Sequence, residues 1–276
     1  MLRTLWALLR STHPGPSVAV AALAAIISWG FSLPPGAAVI VVIAVLVNQF
    51  SVGLSNDAVD ARRDRESGRS DKPLVTGEIS LSAVWGSSIA FGLASLGLSL
   101  WVHPGVFLAQ LVFLVAGWAY NLGLKATVFS ALAYAVGFGA LPAIVSFAAE
   151  PALAPQWWVL VVASGLGIAA HFGNVVPDRD ADAQQGIRGL PQLLSAKTVA
   201  VSLVVLIAGM AAVLVVGAGE QARVASLIAA ALATAVAVVG GITATKAPSS
   251  RWAFRSTIAA ALVLALGLAV SLEQSI

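Results

Sequence analysis

The chain has 276 residues, of which 59% are hydrophobic and 10% are charged, and its formal net charge is +3. Because soluble globular proteins carry about 25% charged residues, this composition excludes a soluble domain and indicates an integral membrane protein. The lack of cysteine excludes disulfides, thiolate metal sites and cysteine nucleophiles, and three histidines argue against a histidine-rich metal site.

The first predicted element, residues 1–16, is a basic, amphipathic segment on the cytoplasmic side. It is not a cleavable signal peptide, because the first apolar run comes after it. Nine apolar runs follow, each close to the roughly 20 residues that a helix needs to cross a bilayer. They are continuous rather than alternating, which excludes membrane β-strands. The predicted spans are 17–33, 37–55, 80–100, 104–120, 127–148, 156–173, 195–217, 222–245 and 252–272.

The sequence therefore predicts an all-α membrane protein whose residues 17–276 form nine transmembrane helices in a single bundle. Lysine and arginine concentrate in cytoplasmic loops. If the N-terminus is cytoplasmic, nine spans leave only Arg223 on the outer side. We expect a multi-pass protein of the plasma membrane with its N-terminus and its polar loops in the cytoplasm.

The polar pattern N-x3-D-x3-D-x3-G occurs twice, at residues 56–68 and 174–186, each time at the end of an apolar run. Spacing of four places the asparagine and both aspartates on one helical face. In the first copy Asp57, Asp60 and Asp64 form a single stripe, and such carboxylates repel one another unless a cation neutralises them. Magnesium accepts carboxylates together with phosphate oxygens. The pattern thus indicates a site for a divalent metal and, through it, for phosphate.

The two copies follow the second and sixth spans, so both point to the same side of the membrane. A bundle of two related halves, with motif regions at 56–74 and 174–191, would bring them together at the cytoplasmic mouth of a central cavity. The basic side chains that lie among the aspartates can hold phosphate oxygens that a metal leaves free.

These features resemble the UbiA superfamily of intramembrane prenyltransferases over essentially the whole chain. The two motifs are similar to its two aspartate-rich motifs, and Arg69-Ser-Asp-Lys72-Pro73-Leu74 resembles the basic-Pro-Leu stretch that follows the first. Tyr120-Asn121-Leu-Gly-Leu-Lys125 resembles its Tyr…Lys element, with one residue more between them than in many members. The stretch 186–191 is also similar.

The resemblance implies a magnesium-dependent prenyltransferase with two metal ions. Such an enzyme transfers an isoprenyl group from its diphosphate to a lipophilic or aromatic acceptor, and nucleic acid is not expected as a partner. The implied metal ligands are Asp57, Asp60, Asp64, Asp178 and Asp182. The residues implied to hold the diphosphate are Asn56, Arg69, Lys72, Tyr120, Lys125, Asn174 and Arg188. The catalytic candidates are Asp60, Asp64, Asp178, Asp182 and Lys125.

Three other functions remain open at this point. A terpene cyclase of the same superfamily would ionise the same donor but let an internal double bond attack, and a further relative would use a phosphoribosyl donor. A cation-coupled transporter would carry its acidic residues at mid-membrane on discontinuous helices, whereas here they lie at helix ends. We expect His13 and His103 at the surface, Glu66 and Asp71 as solvated loop charges, and His171 as a packing residue or an acceptor-side base.

Overall fold

The computed structural model describes residues 2–175, 188–246 and 252–274, and the regular structure in these ranges is entirely helical. A 3-10 turn at Leu124–Ala126 connects α6 to α7. The α-helices in chain order are α1 Leu2–Ser11, α2 Pro14–Gly30, α3 Pro35–Glu66, α4 Pro73–Thr76, α5 Leu81–Val102, α6 Pro104–Leu122, α7 Ser130–Ser146, α8 Trp157–Val175, α9 Leu190–Leu193, α10 Ala196–Gly217, α11 Arg223–Lys246 and α12 Trp252–Glu273.

Within the described ranges, 7 helices are long and apolar enough to cross a membrane, namely α3, α5, α6, α8, α10, α11 and α12. Two shorter apolar helices, α2 and α7, have 17 residues each. Each predicted apolar run therefore coincides with a helix. The all-helical membrane class is confirmed, and the count of nine spans stays a prediction.

The long helices form a ring that follows chain order. Each packs against the next from α2 through α12, with α4 and α9 as short additions, and α12 packs back against α2. Gly30 allows this closure, because a Cβ there would lie 2.5 Å from the Cα of Ala269. The outer surface exposes large apolar side chains such as Leu93, Trp101 and Val205. A surface of this kind suits contact with lipid.

The helix α3 continues well beyond the apolar run predicted at 37–55. It ends at Glu66, so the whole first motif up to Asp64 lies on the same helix. Residues 56–66 contain neither glycine nor proline, and their two alanines, three arginines and one glutamate favour helix. Gly68 adopts a left-handed φ of 69° directly after the end of α3, so the glycine of the motif serves to terminate the helix.

The amphipathic N-terminal segment contains the helix α1, which packs against α3 and α4. Its Ala7 is fully buried in a small cluster with Leu54 and Leu74, whereas Trp6 faces outward. The turn after α1 lies directly on α3 at Gly53, where any Cβ would overlap the carbonyl group of Thr12. This close approach brings the turn between α1 and α2 to the first motif.

Candidate active site

The stripe predicted on α3 lines a cavity of about 800 Å³ inside the ring. The side chains of Asp57, Asp60 and Asp64 are buried, although all three carry carboxylates. Carboxylates are rarely buried unless they are paired. Their common orientation confirms the helical register deduced from the spacing, and their burial raises the question of which groups neutralise them.

Asp57 is neutralised from two directions. The Nζ of Lys72 lies 2.5 Å from its Oδ1, and the Nε2 of His13 lies 2.7 Å from the same oxygen. Lys72 comes from the connection between α3 and α4, and His13 from the turn between α1 and α2. One carboxylate oxygen on α3 therefore joins three parts of the chain.

Asp60 is neutralised by Lys125 and Arg63. The Nζ of Lys125 lies 2.5 Å from Oδ1 of Asp60 and 3.3 Å from Oδ1 of Asn56. Arg63, one turn further along α3, places Nη2 at 2.8 Å from the other oxygen. Burial lowers the pKa of Lys125 from its usual value, and the adjacent Asp60 carboxylate opposes that shift. The ion pair with Asp60 therefore favours the charged form of Lys125, which burial alone would disfavour.

Asp64 also lines the cavity, and its carboxylate makes no hydrogen bond or ion pair with the described residues. Within 2–175, 188–246 and 252–274, no three histidine, aspartate or glutamate side chains are close enough to one another to hold a metal ion. Asp178, Asp182 and Gly186 of the second motif lie outside the described residues. The first motif by itself supplies carboxylates on one wall of the cavity.

The remaining residues predicted to hold a diphosphate occupy different places. Arg69 lines the cavity and donates to both oxygens of Asp71, from Nε and Nη2, each at 2.9 Å. These hydrogen bonds lower the pKa of Asp71 to about 2. Asn174 lines the cavity from the end of α8. Arg188 is exposed and is not among the described residues that line the cavity.

Tyr120 lies in an aromatic cluster beside the carboxylates. Its ring packs edge-on against Tyr134 and His171, with ring centroids 5.1 Å and 5.5 Å away. His171 is fully buried, and its Nε2 lies 2.9 Å from the hydroxyl of Ser130. The prediction of His171 as a packing residue is consistent with this burial, and Tyr120 faces the cavity as an aromatic wall.

The rest of the cavity is apolar. Beyond the polar end its walls come from α2, α6, α7 and α12. The apolar residues of this part include Val20, Leu23, Phe113, Phe138, Ile258 and Leu262. The cavity therefore combines a charged end with a hydrocarbon-lined interior.

Three residues at the charged end were not among the predicted site residues. His13 was expected at the surface but contacts Asp57. Arg63 follows Asp60 by three positions, and this spacing alone could have indicated the ion pair. Tyr134 lines the cavity beside Tyr120, and no sequence pattern marks it. The expected solvated charges Glu66 and Asp71 are indeed exposed.

Comparison with known proteins identifies the protein family to which the chain belongs. The model of the UbiA prenyltransferase family matches residues 17–265. The chain therefore belongs to the UbiA prenyltransferase family, and it is an enzyme of the prenyltransferase class in an integral membrane fold. Among curated protein sequences none matches the chain significantly.

Solved structures share this fold over nearly their whole length. An apo UbiA homologue from Aeropyrum pernix K1 has a TM-score of 0.75 at 18% identity, with 92% of this chain and 97% of that chain covered. A UbiA homologue from Archaeoglobus fulgidus bound to GPP and Mg²⁺ has a TM-score of 0.74 at 21% identity, covering 96% and 99%. A digeranylgeranylglyceryl phosphate synthase has a TM-score of 0.69 at 16% identity, covering 99% and 98%.

Proposed function

We propose that this protein transfers an isoprenyl group from its diphosphate to a lipophilic or aromatic acceptor, with magnesium as cofactor. The observation that carries the proposal is the polarity of the cavity lined by Asp57, Asp60 and Asp64. Its charged end holds Asp57, Asp60, Lys72 and Lys125, and its interior is lined by hydrocarbon. An isoprenyl diphosphate has the same two parts, a highly charged head and an apolar tail.

The charged end suits magnesium, because its donor set consists of carboxylate oxygens, which this ion prefers. Asp57, Asp60 and Asp64 would hold metal on one wall, and Asp178 and Asp182 are proposed to do so from the second motif. Bound magnesium would neutralise the charge that the diphosphate gains as it leaves. The structure of the Archaeoglobus fulgidus homologue with GPP and Mg²⁺ supports this assignment, and we propose two ions.

Lys72 and Lys125 are proposed to hold the diphosphate. Each ammonium now contacts a carboxylate that is also a proposed metal ligand. A cation that binds the carboxylate would free the lysine to contact a phosphate oxygen a short distance away. Asn56, Arg69, Asn174 and Arg188 are proposed as further contacts of the head group, and Tyr120 would pack beside it.

The reaction then follows from charge stabilisation. The C–O bond between the prenyl carbon and the diphosphate breaks, the electron pair leaves with the diphosphate, and an allylic cation remains on the tail. Preorganised cations at the leaving group lower the barrier most, because they act where charge develops. The acceptor attacks the allylic carbon and loses a proton.

The apolar interior favours a prenyl donor over a phosphoribosyl donor, since a sugar would leave its hydroxyl groups without partners against hydrocarbon. Residues 17–276 are proposed as one catalytic unit in which the motif regions 56–74 and 174–191 face each other. We further propose that the charged end faces the cytoplasm at the plasma membrane.

Product analysis tests the proposed function. Purified protein in detergent is incubated with donors of increasing chain length, with magnesium, and with or without aromatic and lipid acceptors, and the lipids are analysed by mass spectrometry. We expect a prenylated acceptor, loss of product with EDTA and its recovery when magnesium is restored. Full turnover in EDTA would contradict the proposal, and a cyclic terpene formed without acceptor would favour a cyclase.

Orientation is tested by cysteine labelling, which is specific here because the chain contains no cysteine. Ser70 lies in the connection after α3, and Glu220 lies between α10 and α11 at the opposite end of the bundle; both residues are exposed. We expect Ser70→Cys to react with an impermeant maleimide only from the cytoplasmic side and Glu220→Cys only from outside. The opposite result would reverse the proposed orientation, and labelling of both from one side would contradict the helix count.

A further inference from the structure

The tripeptide His-Pro-Gly occurs twice, at 13–15 and at 103–105, and each copy begins an apolar helix. At the second copy the backbone of His103 is extended, and its Nδ1 accepts a hydrogen bond from the backbone N–H of Gly105 at 3.0 Å. The imidazole of His103 thus caps its own helix, α6. This is the local role expected of a polar residue that precedes a helix.

The histidine of the first copy, His13, has a different role and does not cap its helix. His13 has a left-handed φ of 52°, and its side chain makes no capping hydrogen bond to α2. The imidazole reaches instead across to Asp57 on α3, with 2.7 Å between Nε2 and Oδ1. The local cap is absent, and a contact to the charged end of the cavity takes its place.

The surrounding chain holds His13 in this conformation, which residues with a Cβ rarely adopt. Ser11 and Thr12 are buried, and the carbonyl group of Thr12 fits against Gly53. The hydroxyl of Ser17 donates to the carbonyl oxygens of Thr12 and His13, at 2.9 Å and 3.1 Å. A non-glycine residue that its surroundings fix in such a conformation is typical of functional sites.

We propose that His13 is a positioning residue of the metal site, which holds Oδ1 of Asp57 so that Oδ2 is presented to a divalent cation. The inference rests on the function proposed above. An ionised carboxylate only accepts hydrogen bonds, so Nε2 is the donor. His13 and Lys72 both contact Oδ1, and no described residue forms a hydrogen bond with Oδ2.

The two partners of Asp57, Lys72 and His13, therefore have different roles in this proposal. Lys72 is needed at the diphosphate, so its contact with Asp57 is exchanged when the donor binds. His13 has no proposed contact with the diphosphate, so its imidazole keeps the Asp57 carboxylate oriented both before and after the donor binds. Residues that hydrogen-bond a metal ligand from behind commonly tune metal affinity in this way.

His13→Gly tests the role, because glycine adopts the left-handed conformation without steric cost. The variant should keep or raise the thermal midpoint of the metal-free protein. Its affinity for Mn²⁺, used as a probe for the magnesium site, should fall about 10- to 100-fold, the range typical for loss of such a partner. Both quantities are measured on the full chain in detergent, the affinity by Mn²⁺ titration with electron paramagnetic resonance.

His103→Gly is the matched control, since it changes the same residue of the same tripeptide. It should lower the thermal midpoint through loss of the α6 cap and leave the Mn²⁺ affinity unchanged. Equal Mn²⁺ affinity in His13→Gly and the unmodified protein would overturn the positioning role while leaving the proposed function intact. A fall of affinity with a midpoint lowered as in His103→Gly would assign His13 to folding. No Mn²⁺ binding by the unmodified protein would overturn the proposed function itself.

Discussion

Replacement of Asp60 by asparagine is expected to lower kcat by at least about 10²-fold, which corresponds to about 2.7 kcal/mol of transition-state stabilisation. Asp60 is a proposed metal ligand and contacts Lys125, the proposed diphosphate ligand. Asparagine has nearly the same shape and keeps an oxygen that can accept from Lys125. The fold should therefore persist while the negative charge is lost.

Glu66→Gln on the same helix is the control for this variant. Its carboxylate is 69% exposed and lies 3.8 Å from Arg62. Exposed pairs of this kind contribute at most about 1 kcal/mol to stability, so Glu66→Gln should change neither turnover nor the thermal midpoint measurably. Rates and midpoints are compared in one detergent. An equal loss of turnover in both variants, or a loss in Asp60→Asn explained by a lower midpoint, would contradict the role of Asp60.

The register of the first motif could be predicted from the sequence because it is a local property. Spacings of three and four residues place Asp57, Asp60 and Asp64 on one face of any α-helix. The end of that helix could not be predicted from hydropathy, since the apolar run stops near residue 55 where the surroundings become polar. The backbone hydrogen bonds of α3 continue to Glu66, because nothing in the intervening sequence interrupts them.

The partners of the carboxylates could be predicted only in part. Lys72 and Lys125 were identified through a family resemblance, but their pairing with Asp57 and Asp60 depends on the packing of distant helices. His13 gave no sequence signal, because its contact spans 44 positions and requires a left-handed turn. The same tripeptide at His103 behaves quite differently, which shows that local sequence does not determine the role of this histidine.

The pairing of lysines with carboxylates explains how charged side chains can be buried inside this membrane protein. Buried charges are costly unless paired, and the ion pairs of Asp57 and Asp60 meet that requirement. With the proposed roles of Asp57, Asp60, Lys72 and Lys125, binding of metal and donor would be interdependent, because a lysine would move to phosphate most easily once a metal has replaced it at the carboxylate. The two ligands should therefore each raise the affinity of the site for the other.

Lys125→Met should also lower kcat by at least about 10²-fold and raise KM for the prenyl diphosphate, because the buried cation proposed to contact the leaving diphosphate is lost. Methionine fills a similar volume, and Asp60 keeps Arg63 at 2.8 Å as a partner. Removal of a buried charge also removes its desolvation cost. The thermal midpoint should therefore be maintained or rise while activity falls. Lys197→Met, an exposed lysine near the start of α10, is the control and should retain full activity.

The double variant Asp60→Asn with Lys125→Met shows whether the pair acts as one unit. Groups that serve a single catalytic step give strongly non-additive losses. We therefore expect the double variant to be about as slow as the slower single variant, because either change already disrupts the exchange between carboxylate, metal and diphosphate. If instead the two losses multiply, Asp60 and Lys125 contribute independently, and their 2.5 Å contact would serve only to neutralise the two buried charges.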